Sequence, residues 1–218
     1  WTAWRAIEPD PHSGRTALIT FEENCRYLET DSGRTLDVRF IDPGPDPLIP
    51  KSRGPESDDP TSRPRIVSRI EWGSPDGDRM RGTPVYTNVT HLIVHHTADG
   101  PLANYAAWVR AIWNFHVFSN GWDDIGYNYL IAPDGTIFEG RAGGDNVVGA
   151  HFSCQNGGTM GVALLGDYTR FAPPAAALDA LARLLAWRAN ALHLNVLGSN
   201  IHFGTRLDLP VISSHRDG

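Results

Sequence analysis

Cysteine is scarce: Cys25 and Cys154 are the only two in 218 residues. That excludes a disulfide-dense scaffold and a multi-cysteine zinc module. Whether the two pair stays open, because sequence does not give their separation in space. Apolar runs are short, and none approaches the length of a membrane span. Basic clusters are missing and the net charge is −6. Both speak against a nucleic-acid binder, as does the lack of a zinc-finger, bZIP or RRM signature. HExxH and CxxC are absent too, so a metal site has no local motif behind it. The chain opens on Trp1 rather than Met and shows no signal peptide, so a preceding piece is expected to be missing.

What remains is an ordinary globular composition, 41% apolar and 20% charged. Within residues 1–41, "ALITFE" and "LDVRFI" are β-type runs around the turn "TDSGRT". Leu36, Val38 and Phe40 alternate with Asp37 and Arg39, the pattern of a half-buried strand. This small β-rich extension is too short to be stable alone and is expected to dock on the rest of the chain. Residues 42–64 hold seven prolines and read as an extended linker.

From Arg65 to Gly218 strands and helices alternate, the pattern of one α/β domain. "LIV" at 92–94 is a buried strand with an exit loop at 97–100. "PLANYAAWVRAIWNFHVFSN" carries Trp108, Ile112 and Phe115 at helical spacing. "YNYLIAPDGTIFEGR" is a hairpin turning at Pro133-Asp134-Gly135, and "MGVALLG" is a buried strand. A helix opens at Pro173-Pro174, with Leu178, Leu181 and Leu185 as its expected buried stripe. "LPVISSH" reads as a single final strand ending in His215.

His95 and His96 are adjacent at a strand end, and successive strand side chains point to opposite faces. They cannot both serve one site in the same way. His95 and His215 each end a strand, and strand ends at one sheet edge are where open α/β sheets hold their sites. Two imidazoles plus a further ligand make an open zinc site, although two histidines are more often surface or core residues. Tyr127 fits either a core aromatic or a hydroxyl aimed at an oxyanion. His116 sits near a helix C-terminus, where it can answer the dipole. His151 and Asn156 lie in a Gly-rich loop, and Arg141 is most simply solvated or paired.

Taken in order, "RIVSRIEWG", "LIVHHTADG", "WDDIGYNYLIAPDGTIFEGRAGG", "VGAHFSCQNGGTMGVALLGDY" and "ISSHRDG" resemble the peptidoglycan recognition protein and type 2 N-acetylmuramoyl-L-alanine amidase family over residues 65–218. The first forty residues look like the β-rich extension of some exported bacterial members. The resemblance implies a mixed central β-sheet flanked by helices, and a zinc hydrolase acting on the lactyl amide between N-acetylmuramic acid and L-alanine. It implies His95 and His215 as zinc ligands, Tyr127 as the catalytic residue, and His96, Thr97, His116, His151 and Asn156 as contacts to the muropeptide. It also implies a secreted or cell-envelope protein, acting as a monomer on peptidoglycan.

Two departures from the pattern stand out. Ser214 replaces the usual Gly before His215, a small cost unless the backbone there needs positive φ. The family's third zinc ligand comes about eight residues after the second histidine, whereas this sequence stops at Gly218, so the domain is expected to be truncated. Asp217 is a poorly placed substitute. The alternative function is a zinc-free muropeptide recognition module.

Overall fold

The structure is a computed structural model that describes residues 59–217 apart from Pro101, Ala103 and Cys154. The expected β-rich extension at 1–41, most of the linker and the Cys25–Cys154 question lie outside the described residues.

Six strands form one sheet in the order β1-β4-β3-β5-β2-β8: β1 (Ile66–Val67), β2 (His91–His96), β3 (Tyr129–Ile131), β4 (Ile137–Glu139), β5 (Thr159–Leu164) and β8 (Ile212–Ser214). Only β3 and β4 pair antiparallel, across the expected turn in which Gly135 takes φ +87°. Parallel neighbours need covered faces, and helices cover both. One face carries α2 (Tyr105–Asn114), whose Trp108, Ile112 and Trp113 pack with Leu130, Phe138 and Ala163. The other face carries α3 (Ala175–Ala191), against Leu92, Tyr129, Ile131, Met160, Val162 and Leu164. The alternation of strand side chains therefore assigns each residue to one helix or the other.

Of the expected buried stripe of α3, Leu185 is buried and Leu181 packs half-buried against the core, but Leu178 departs from it. Leu178 is 44% exposed, while Ala177, Ala180, Leu184, Leu185 and Ala189 face the sheet. The alanines let the helix axis come close, so it turns its small residues inward and leaves Leu178 to solvent. The final strand is also two strands. β7 (Asp208–Pro210) pairs antiparallel with β6 (Ser199–Ile201) in a separate hairpin, and only β8 joins the main sheet. The switch occurs at Val211, whose N–H goes to Gly198 and whose carbonyl accepts from Leu92.

A short helix α1 (Arg69–Trp72) precedes the sheet's central strands. Its N-terminus is a capping box, with Ser68 receiving the Glu71 N–H and the Glu71 carboxylate receiving the Ser68 N–H. Gly73 closes it in the left-handed conformation. At its C-terminal end α2 widens into a π-turn at Phe115–Ser119, marked by the Asn120 N–H reaching back to the Phe115 carbonyl. Such turns recur at functional sites because they re-aim a side chain without ending the helix. Here the re-aimed residue is His116.

Candidate functional site

The parallel register of β2 and β8 pairs Val94 with Ser214. His95 follows Val94 within β2, whereas β8 ends at Ser214 and His215 opens a 3-10 turn rather than ending the strand as expected, so both emerge at one level of one sheet edge. Their ring centroids lie 5.0 Å apart. Ser214 is not among the residues with positive φ, which is why a side chain is tolerated there. His95 shares its parity with Ile93 and points away from the α3 core, where Leu92 and Val94 lie. It is 6% exposed.

Three further side chains close around this pair. Tyr127 stands 5.4 Å from the His95 ring, and His151 stands 5.0 Å from it, with His95 Nε2 and His151 Nδ1 3.0 Å apart. His116 joins through Tyr127, at 5.7 Å, and lies against Trp122 at 4.7 Å. Tyr127, His116 and His151 are all buried. Tyr127 does not begin a strand but sits in the loop just before β3. His116 does not answer a helix dipole: its Nδ1 accepts the Gly126 N–H at 3.1 Å, which places the proton of the neutral ring on Nε2.

Missing side chains make room for His151. A Cβ on Gly161 would meet its ring at 2.4 Å, and one on Gly149 at 2.5 Å. A glycine inside an apolar strand marks such a close approach. Thr159 Oγ1 gives its hydrogen to the Asn156 carbonyl, at 2.8 Å, and so accepts from His151 Nε2 at 3.3 Å. Neutral His151 then accepts at Nδ1 from His95 Nε2–H, which puts the lone pair of neutral His95 on Nδ1.

The remaining expected residues lie outside this ring of side chains. His96 falls on the α3 face, where its Nδ1 accepts the Tyr168 N–H at 3.0 Å and lies 3.8 Å from Asp167. The Thr97 hydroxyl donates to Asp99 and accepts the Gly166 N–H at 2.9 Å. Asn156 turns its carbonyl oxygen to the N–H groups of His151 and Phe152, at 2.7 and 2.8 Å, and thereby holds the His151 loop. Arg141 is buried rather than solvated, and its guanidinium donates to the Ile125 carbonyl at 3.2 Å.

Two buried carboxylates carry no signal in the sequence. Asp99 takes the Trp108 indole N–H at 2.7 Å, and burial pushes its carboxyl up to about 6 against the Thr97 and Trp108 hydrogen bonds. Asp124 pairs with Arg69, 55 residues earlier. Neither partner is recoverable from local spacing.

The donor chemistry of His95 and His215 fits two positions of a zinc site. Zinc takes at least three protein donors, and among the described residues no group of three His, Cys, Asp or Glu is disposed to hold a metal. Asp217 does not complete the set: its carboxylate is folded back onto the Ser214 N–H and hydroxyl, at 2.7 and 3.0 Å.

A family model described as N-acetylmuramoyl-L-alanine amidase matches residues 85–217. Peptidoglycan-recognition protein SC2 of Drosophila simulans is 36% identical over 124 residues, covering 56% of this chain and 65% of that protein. The N-acetylmuramoyl-L-alanine amidase of Sus scrofa is 38% identical over 125 residues, 54% of this chain and 20% of that protein. The chain thus spans less than two thirds of the length of these curated relatives. Among solved structures, Drosophila peptidoglycan recognition protein SD superimposes with a TM-score of 0.57 at 28% identity, covering 70% of this chain and 83% of that one. Peptidoglycan recognition protein LE, solved with tracheal cytotoxin, a monomeric diaminopimelic acid-type peptidoglycan, has a TM-score of 0.57 at 26% identity, covering 69% and 81%.

Proposed function

The chain belongs to the N-acetylmuramoyl-L-alanine amidase family, and from that premise we propose that it hydrolyses the lactyl amide between N-acetylmuramic acid and L-alanine in peptidoglycan. The observation that carries the reading is the convergence of His95, His215 and Tyr127 at one edge of the sheet. His95 and His215 hold a zinc ion, with a third donor outside the described residues. When bound, zinc supplies Lewis-acid polarisation of the scissile carbonyl and a more acidic water.

The protein's own groups do the rest. His151 receives the other N–H of His95 and so fixes which nitrogen faces the metal, the usual arrangement for a ligating imidazole. The Tyr127 hydroxyl donates to the carbonyl oxygen as negative charge builds on it. Water oxygen adds to the lactyl carbon, the C–N bond breaks, and the leaving amine takes up a proton. The products are a lactyl carboxylate and a peptide with a free N-terminal alanine. The buried setting of Tyr127 and the imidazoles keeps competing water away from these donors. His96, Thr97 and Asn156 hold the loops around the site and meet the muropeptide away from the reacting atoms. Among the described residues no helix is long and apolar enough to cross a membrane.

A second reading is muropeptide recognition without hydrolysis. It is favoured by the lack of a three-donor group among the described residues and by the likeness to the tracheal cytotoxin complex. One experiment separates the two. A defined muramyl peptide is incubated with metal-free and zinc-supplemented protein, and products are read by mass spectrometry. Zinc-dependent appearance of the free peptide supports the amidase. Saturable binding with no product under either condition supports recognition alone.

A further inference from the structure

Behind Tyr127 lies a buried ion pair. Arg69 is 1% and Asp124 0% exposed. Two parallel contacts join them, Nη1 to Oδ2 and Nη2 to Oδ1, both 3.2 Å. This fork geometry fixes orientation as well as distance. The guanidinium is also clasped by the carbonyls of Gly77, Arg79 and Gly140 and by the Ser74 hydroxyl. Burial pushes the Asp124 carboxyl up, and Arg69, two backbone N–H groups and Arg141 pull it back down.

Two backbone N–H groups on either side of the Tyr127 loop end on Asp124, and further contacts hold the rest of that loop. Asp124 Oδ1 holds the Ile125 N–H and Oδ2 holds the Ala142 N–H, each at 2.8 Å. Arg141 takes the Ile125 carbonyl with its side chain and the Tyr127 carbonyl with its N–H, at 3.2 and 2.8 Å. His116 and Ala150 hold the Gly126 N–H and carbonyl. Asp124 therefore ties the loop before β3, which carries Tyr127, to the loop after β4, and Arg69 anchors that tie to α1. A loop held this way presents its next side chain at a fixed height, which a hydroxyl aimed at a developing oxyanion requires.

We propose that the Arg69–Asp124 pair is the positioning device for the Tyr127 hydroxyl, acting on the catalysed step through the 125–127 backbone and not on substrate or metal binding. The inference rests on the amidase reading. Its test is Asp124→Asn, in the wild-type and the Tyr127→Phe backgrounds, assayed on a defined muramyl peptide with bound zinc measured alongside. A small misplacement of a catalytic group costs up to about 100-fold in rate. The expected result is a fall of about 10- to 100-fold in kcat, with KM within about twofold and zinc content unchanged. In the Tyr127→Phe background the same change should cost less than about twofold, because its target is already gone. An unchanged kcat, or losses that multiply in the double variant, would overturn the proposal.

Arg69→Lys keeps the charge but loses the fork, and serves as the second variant should Asp124→Asn fail to fold. Amide exchange is read on the same proteins. The proposal requires faster exchange at Ile125–Tyr127 with β2 and β5 unmoved, and uniform exchange overturns it. If the wild type binds the muramyl peptide but releases no product, the amidase reading fails, and exchange alone decides whether the pair sets the Tyr127 loop.

Discussion

His95 looks across the sheet edge to His151, Tyr127 and His215. His96, one residue on, looks to the opposite face, where it meets Asp167 and Tyr168 in the loop after β5. The first is buried in a company of rings, while the second keeps 30% of its side chain in solvent. A peptide bond joins them, and a period of two separates their chemistry. The His95 side gathers groups that exchange protons and bind metals. The His96 side holds a loop, its Nδ1 accepting the Tyr168 N–H. A pair of histidines in a sequence is thus not a pair in a site.

The sharpest way to break that contrast is to remove each ring in turn. His95→Ala should lose bound zinc and fall to background hydrolysis, whereas His96→Ala should retain zinc and lose less than about tenfold in rate, the scale of a supporting contact. Zinc per chain and product formation decide it, and equal losses from both would dissolve the distinction. Next in size, Tyr127→Phe should keep the metal and cost about 100-fold in kcat, roughly 3 kcal/mol for one oxyanion donor. An unchanged rate would take Tyr127 out of the mechanism.

The pH response should come from Asp99, buried against Trp108 of α2. Asp99 is raised to about 6 by burial, from 3.8. The folded protein therefore binds this proton more tightly than the unfolded chain does. Its contribution is fully present below about pH 4 and is lost as pH rises through about 6, by on the order of 3 kcal/mol. Urea midpoints of wild type and Asp99→Asn across that range should diverge as pH rises, the wild type losing more. Gly161→Ala should destabilise by about 1–3 kcal/mol, since its Cβ has no space beside His151. Thermal unfolding should show that loss, and a neutral outcome would mean the ring can move aside. The smallest effect is expected at Leu178→Ala, within about 0.5 kcal/mol, as for other solvent-facing positions.

Much of this is legible in the residues. The apolar run before His95, the hairpin around Gly135 and the family segments place the sheet and its edge. The facing of His95 and His96 comes from parity alone. The α3 stripe is legible at Leu181 and Leu185 but not at Ala177 and Ala180, because a hydrophobic period weights leucine above alanine. Close packing on a sheet favours the smaller side chain, and the period does not say which arc wins. The split of the last strand is hidden because Leu209, Val211 and Ser213 keep one buried alternation through the change of sheet. The α1 capping box at Ser68 and Glu71 is a readable signal. The Arg69–Asp124 pair is not, because a contact over 55 residues leaves no trace in spacing.

The register of β2 with β8 has a consequence in time. The strand that carries His95 and the strand that leads into His215 are separated by more than a hundred residues, and they are hydrogen-bonded neighbours. A contact of such span is slow to form and comes after local structure. On a ribosome, His95 leaves the tunnel long before its partner is synthesised. The two rings can meet only after His215 has been made and β8 has docked beside β2. Under the amidase reading metal affinity is a late-arriving property, and a metal-binding signal during refolding would time the docking of β8 beside β2.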